Sequence, residues 1–312
     1  MAVEWPTSAE IHDQVRHRLT GLLDQHAGPV AEIGRRALAA GHGPLSDQPH
    51  SLTTVLVPGA CVAAGGAWQM ALWPAAAAEL MMAAADLFDD VADADPGVFG
   101  THSPGVVLTA AAGLLGLAGV ALARVVHDGA PAETGLALAE LLGTEFARAA
   151  NGQAVNLAPG QPALDARTAY AQAVAKSGPL GSLIARLGAR TATDDRRTLD
   201  LLGEFGRRLA VHSQLVNDAR DASPGASRPK ADVRAGAGTV PLAFTGSRGA
   251  PAGLDDAELA AWEAGERERI RAAGGLAAAH ALAEAERLHA LEVLDRLRAM
   301  GRPVAGLRAL VE

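Results

Sequence analysis

The chain has 312 residues, 49% of them hydrophobic, 20% charged and 3% aromatic, and a formal net charge of −8. That acidity, with no basic cluster interleaved with aromatics, argues against a nucleic-acid partner. Cys61 is the lone cysteine, so no intrachain disulfide can form, which fits a reducing cytoplasm.

The first residues, Met1 to Pro6, lack the basic start and apolar stretch of a secretory signal. Ala, Leu, Arg and Glu dominate the rest of the chain, and no alternating β-branched run appears. The pattern predicts about ten helices of ordinary length. Breakers cut the chain at 41–44, 95–97, 129–131, 158–160, 223–225 and 249–251. None of them reads as an interdomain linker, so residues 1–312 are expected to form one all-α domain.

The first segment that carries chemistry runs Asp86-Leu87-Phe88-Asp89-Asp90-Val91-Ala92-Asp93. It closes an apolar helical run. Asp89 and Asp93 are four apart and Asp90 and Asp93 three apart, so one helix face carries them. Such like charges repel by roughly a few tenths of a kcal/mol per pair, and the C-terminal end of a helix disfavours them further. A bound divalent cation reverses that sign. The next stretch, Gly105 to Ala123, carries no charge over 19 residues, which reaches the length of a membrane span. It is rich in Ala and Gly and only modestly hydrophobic for a span. With Gly113, Gly116 and Gly119 permitting close approach, it is expected to be a buried central helix.

Only two lysines occur, Lys176 and Lys230, in a chain whose other fixed cations are arginines. An ammonium is a compact point charge suited to a diphosphate. The pair Lys176-Ser177, beside Gly178-Pro179, is expected at a helix start. The second acidic segment, Gln214 to Asp221, places Asn217 and Asp221 four apart with Asp218 between them. Residues 223–238 come directly after it. They are polar and glycine-rich, where a mobile lid is expected. Residues 255–312 are expected as C-terminal helices with a solvated, charge-paired face. Asp194-Asp195 and Asp255-Asp256 sit at helix N-termini, where negative charge is favoured, and are assigned to capping. His212, near the second acidic segment, is assigned to packing or solvent rather than to a base. No zinc spacing, nucleophile elbow, P-loop or dinucleotide fingerprint appears.

Taken in order, these residues resemble the trans-polyprenyl diphosphate synthase family. Asp89-Asp90-Val91-Ala92-Asp93 resembles its first aspartate-rich motif. Gly152-Gln153 with Asn156 resembles its Gly-Gln-x-x-Asp segment, and Lys176-Ser177 its Lys-Thr pair. Gln214 with Asn217-Asp218 and Asp221 resembles the second motif. Lys230-Ala231-Asp232, then Thr239 to Leu242, resembles the family's next stretch. The resemblance implies a helical bundle around a central cavity, and dimers by analogy. It implies three magnesium ions held by Asp89, Asp90, Asp93, Asn217, Asp218 and Asp221. It also implies a prenyl diphosphate bound with help from Gln153, Lys176, Ser177, Gln214, Arg220 and Lys230.

Departures shape the expected reaction. Elongating members carry Gly-Gly-Lys-Arg upstream and Arg-Arg after the first motif to bind isopentenyl diphosphate. Here those stretches read Ser51 to Pro58 and Asp95 to Gly100, with no cation. A second diphosphate beside the first would be strongly repelled without one. The main expectation is therefore a terpene synthase acting on a C15 or C20 diphosphate. The alternatives are a prenyltransferase and an inactive subunit that binds prenyl diphosphate. One turn and more before the first motif lie Ala85, Ala84 and Met81, and Phe88 directly precedes it as an aromatic candidate for the pocket. Two readings stand side by side there: small residues opening the cavity floor to a long chain, or alanines that simply let helices pack.

Overall fold

The computed structural model describes residues 5–93, 100, 102–157, 165–226 and 231–312, and every regular element among them is a helix. Lys230, the cation-free stretch at 95–99 and the breaker at 158–160 lie outside the described residues. The α-helices are α1 (Ser8–Gln25), α2 (Pro29–Ala39), α3 (Leu52–Ala63), α4 (Leu72–Ala92), α5 (Pro104–His127), α6 (Ala132–Asn156), α7 (Ala166–Arg190) and α8 (Arg196–Asp221). Then come α9 (Asp232–Ala235), α10 (Val240–Ala243), α11 (Asp256–Ala272), α12 (Gly275–Ala299) and α13 (Ala305–Arg308). The stretch expected as a lid thus contains a short helix, α9.

The helices gather into two compact units. One comprises Met1–Glu145, Ser182–Gly206 and Leu291–Glu312, the other Phe146–Gly181 and Arg207–Ala290. Neither is contiguous in sequence, so no linker composition marks their boundary.

In the first unit α4 packs against α1, α2, α3 and α5. Its residues Ala75 to Ala78 are all fully buried, because methyl side chains let neighbouring backbones come close. Pro74 is tolerated because the N–H groups of a first helical turn have no intrahelical partner. The most apolar window within Trp68–Ala92 is 72% buried, and that within Pro104–His127 only 44%. Both stretches are long and apolar enough to cross a bilayer by composition alone. The central helix of this unit is therefore α4, and the uncharged α5, expected to be buried, instead leaves one face open. The close approach expected of its glycines occurs at Gly113, where a Cβ would stand 2.8 Å from Val30. Gly105, Gly116 and Gly119 on α5 have nothing within 4 Å of where a Cβ would stand, so that face has no partner at those positions among the described residues. Cys61 is buried and accepts from the Thr191 hydroxyl at 3.2 Å. Burial pushes its thiol up to about 11, which removes thiolate chemistry at neutral pH.

At the start of α3, the Ser51 side chain caps the helix by accepting from Thr54 N. The Ser51 and Thr54 hydroxyls both donate to the Glu79 carboxyl of α4. Burial raises the pKa of Glu79; the two hydroxyls lower it and Asp86 raises it. The fold thus holds the Glu79 proton more tightly than the unfolded chain does. The associated stability is complete below the ordinary glutamate range and is lost as pH rises through the folded value. Glu79→Gln keeps the acceptor oxygen and removes the ionisation. Melts followed by circular dichroism should show the variant gaining on the wild type as pH rises above the ordinary glutamate range. A pH-independent difference would contradict this assignment.

Candidate active site

The second unit assembles the site from α6, α7, α8 and α9. Pro179 lies inside α7, so the Ala175 carbonyl, four residues back, loses its usual N–H partner. α6 crosses at that point through Gly152. A Cβ on Gly152 would stand 2.4 Å from the Ala175 oxygen and 2.6 Å from its carbonyl carbon, an approach open only to glycine. This crossing sets Gly152-Gln153 beside Ala175-Lys176. Lys176 and Ser177 are therefore mid-helix, not at a helix start as expected. A proline's fixed φ suits a helix, and the chain continues through it at the cost of one hydrogen bond and of crowding between its ring and the Ala175 carbonyl.

α8 meets α7 where Gly178 faces the side chains of Arg207 and Val211. Ser177 Oγ donates to Gln214 Oε1 at 2.9 Å, and Gln214 Nε2 donates to Asp218 Oδ1 at 2.7 Å. Asp218 is only 5% exposed. Burial is the main cause that pushes its carboxyl up to about 7. The Gln214 hydrogen bond lowers it, Asp232 raises it, Lys176 lowers it and Asp221 raises it. Lys176, Ser177, Gln214, Asp218, Asp221 and Asp232 thus form one electrostatic group. Asn217 and Arg220, on the same helix, are exposed. Asp232 was legible in the sequence only as part of the Lys-x-Asp stretch, and its place beside Asp218 comes from α9. Behind the group, Arg208 pairs with Glu286 at 3.1 Å, and the Tyr170 hydroxyl donates to the same carboxylate. His212 Nδ1 bonds the Ala283 carbonyl at 2.9 Å, a packing role as expected.

The first aspartate-rich motif belongs to the other unit. Asp89 and Asp90 are partly exposed on the last turns of α4, and Asp93 is its C-cap, donating its N–H to the Asp89 carbonyl at 2.8 Å. Met81 and Ala84 are fully buried, which fits packing at those two positions. Ala85 and Phe88 are partly exposed.

The donor chemistry fits a hard divalent cation. The oxygens around Asp218 are carboxylate and amide oxygens, and their mutual repulsion is what an added cation would relieve. Among the described residues, no three acidic, histidine or cysteine side chains come together closely enough to hold a metal alone. Magnesium is commonly held by one or two carboxylates and completed by water and phosphate oxygens.

The α6–α7 crossing generates a stability prediction. Gly152→Ala should destabilise the protein by about 1–3 kcal/mol in urea denaturation, because the added methyl meets backbone. Gly265→Ala, on α11 with nothing within 4 Å, should be neutral or stabilising by up to about 1 kcal/mol. Equal effects at the two positions would contradict the close crossing.

No family model matches the sequence, and neither does any curated protein. The fold, in contrast, has close counterparts. The geranylgeranyl pyrophosphate synthetase from Pyrococcus horikoshii matches with a TM-score of 0.77 at 20% identity, over 97% of this chain and 95% of that one. A polyprenyl synthetase from Streptomyces coelicolor matches at 0.76 and 21% identity, over 97% of each chain. The geranylgeranyl pyrophosphate synthase from Corynebacterium glutamicum, complexed with isoprenyl diphosphate and magnesium, matches at 0.70 and 19%, over 97% of each. The chain therefore has the all-helical fold of the polyprenyl diphosphate synthases, the class I isoprenoid synthase fold.

Proposed function

We propose that this protein is a magnesium-dependent enzyme that ionises an allylic prenyl diphosphate of C15 or C20 length and transfers the prenyl group to an acceptor. The observation that carries the reading is the buried Asp218 carboxylate. It is fixed by Gln214, crowded by Asp221 and Asp232, and neighboured by Lys176. The ligands to magnesium are taken to be Asp89, Asp90 and Asp93, and Asn217, Asp218 and Asp221, for three ions. Bound magnesium would neutralise the departing diphosphate as a Lewis acid. Lys176 adds a fixed positive charge, and Arg220 and Lys230 are assigned the same duty. Gln214, held by Ser177, orients the Asp218 oxygen. Gln153, beside Lys176 across the α6–α7 crossing, is assigned to the diphosphate. Ala85 and Phe88 are assigned to the prenyl chain.

The names of the structural neighbours support prenyl transfer over the terpene synthase reading that the sequence put first. The acceptor is taken to lack a diphosphate. Where elongating members of the resembled family carry cations, Ser51 and Thr54 here hold a carboxyl group, Glu79. The same observation keeps terpene release as the second reading. A cytoplasmic location is inferred from the lone, buried Cys61.

Purified protein with magnesium and farnesyl or geranylgeranyl diphosphate should release pyrophosphate. Asp89→Asn and Asp218→Asn should each lower turnover by a factor on the order of 100 or more. Full activity in both variants would contradict the metal assignment. A volatile hydrocarbon or alcohol from a single substrate would favour terpene release, and turnover confined to added isopentenyl diphosphate would favour elongation.

We also assign a homodimer, formed through the open face of α5. Val106, Leu108 and Val120 are 37–40% exposed there, and Leu136 of α6 is 72% exposed. An open apolar helix face of this kind is buried more often than solvated. Light scattering should give a dimer that Val120→Asp with Leu136→Asp converts to monomer. A wild-type monomer at micromolar concentration would refute it.

A further inference from the structure

Besides Glu266, helix α11 carries two charged side chains, Glu263 and Arg267, that are nearly buried although they lie outside the group around Asp218. Arg267 has 9% of its side chain exposed and Glu263 14%, and they pair one turn apart at 3.3 Å. Each also reaches a second partner. Arg267 Nε donates to the main-chain carbonyl of Asp221 at 3.3 Å. Asp221 is the last residue of α8, where carbonyls have no intrahelical donor. Glu263 accepts from Arg234 Nε on α9 at 2.7 Å, two residues beyond Asp232. The result is a continuous chain from the end of α8, through Arg267 and Glu263, to α9.

The elements at its two ends are the ones that bring Asp221 and Asp232 to Asp218. Beneath the chain lies an apolar cluster of Ala222, Val233, Leu242 and Ile270, with Trp262 packed against it. Apolar contacts hold these elements together but are non-directional. The charged chain is directional, because a guanidinium fork fixes the angle as well as the distance. Burying two charges is costly unless both are paired, and an exposed pair on the same helix, Arg271 with Glu268 at 57% and 54%, shows the cheaper alternative.

We propose that Glu263 and Arg267 are positioning residues: they lock the end of α8 to α9 and so hold Asp221 and Asp232 at the spacing from Asp218 that magnesium and a diphosphate require. This rests on the proposed magnesium–diphosphate reading. The test uses the full chain, with magnesium and inorganic pyrophosphate as probe and thermal shift as readout. Wild-type protein should be stabilised by the two together. Glu263→Gln and Arg267→Met should keep the helical circular dichroism signal but need on the order of tenfold more magnesium for half the shift. Arg267→Lys keeps the charge beside Glu263 without the fork and should fall between. Arg271→Ala should match wild type. If Arg267→Met does not fold, Glu263→Gln and Arg267→Lys carry the comparison. Variants that melt lower but keep the wild-type magnesium requirement overturn the inference alone. A wild-type protein that magnesium and pyrophosphate do not stabilise overturns the magnesium–diphosphate reading and this inference with it.

Discussion

A carboxylate buried beside other carboxylates is the constraint on which the second unit is built. Asp218 accepts from Gln214 and has Lys176 as a favourable charge, against burial, Asp232 and Asp221. Taken alone that arrangement costs stability, since each of the opposing influences favours the neutral acid. Proteins keep such strain where a ligand relieves it. A divalent cation with an anionic ligand is the simplest relief, because it supplies positive charge to the carboxylates and completes its shell from phosphate oxygens.

The backbone architecture serves the same group. Pro179 removes one N–H from α7 and Gly152 removes one side chain from α6, and both changes occur at the Ala175 carbonyl. Through that crossing Lys176 and Ser177 are carried on a long helix rather than on a loop. Ser177 then reaches Gln214, and Gln214 reaches Asp218. On the far side, the Arg208–Glu286–Tyr170 cluster ties α8 to α12 and α7. Polar groups buried in such numbers fix register where apolar packing alone would leave it loose.

Much of this was legible from residue spacing. The helical class comes from Ala, Leu, Arg and Glu in the absence of alternating β-branched runs. The acidic segments stand out because carboxylates are rare at the end of an apolar helix. What the sequence hid depends on tertiary contact. Lys176 looked like a helix start because Gly178-Pro179 is a breaker pair, yet the long helix α7 carries Pro179 in its interior, where packing must offset the lost hydrogen bond and the ring's crowding of the Ala175 carbonyl. Asp232 is one acid among 35 acidic residues until α9 sets it near Asp218. Glu263 and Arg267 lie in a charge-rich helix that the pattern assigned to solvent, and only their partners on α8 and α9 single them out. The uncharged α5 looked like a core helix because hydropathy does not say whether a face has a partner.

The central claim is that Asp218 is a metal ligand. The most direct measurement is anomalous diffraction from crystals grown with manganese, as a stand-in for magnesium, and inorganic pyrophosphate. The account predicts an anomalous peak in direct coordination with an Asp218 oxygen, near the magnesium–oxygen distance of about 2.0–2.1 Å, with pyrophosphate completing the shell. Bound pyrophosphate without metal at Asp218, or manganese found only elsewhere, would contradict it.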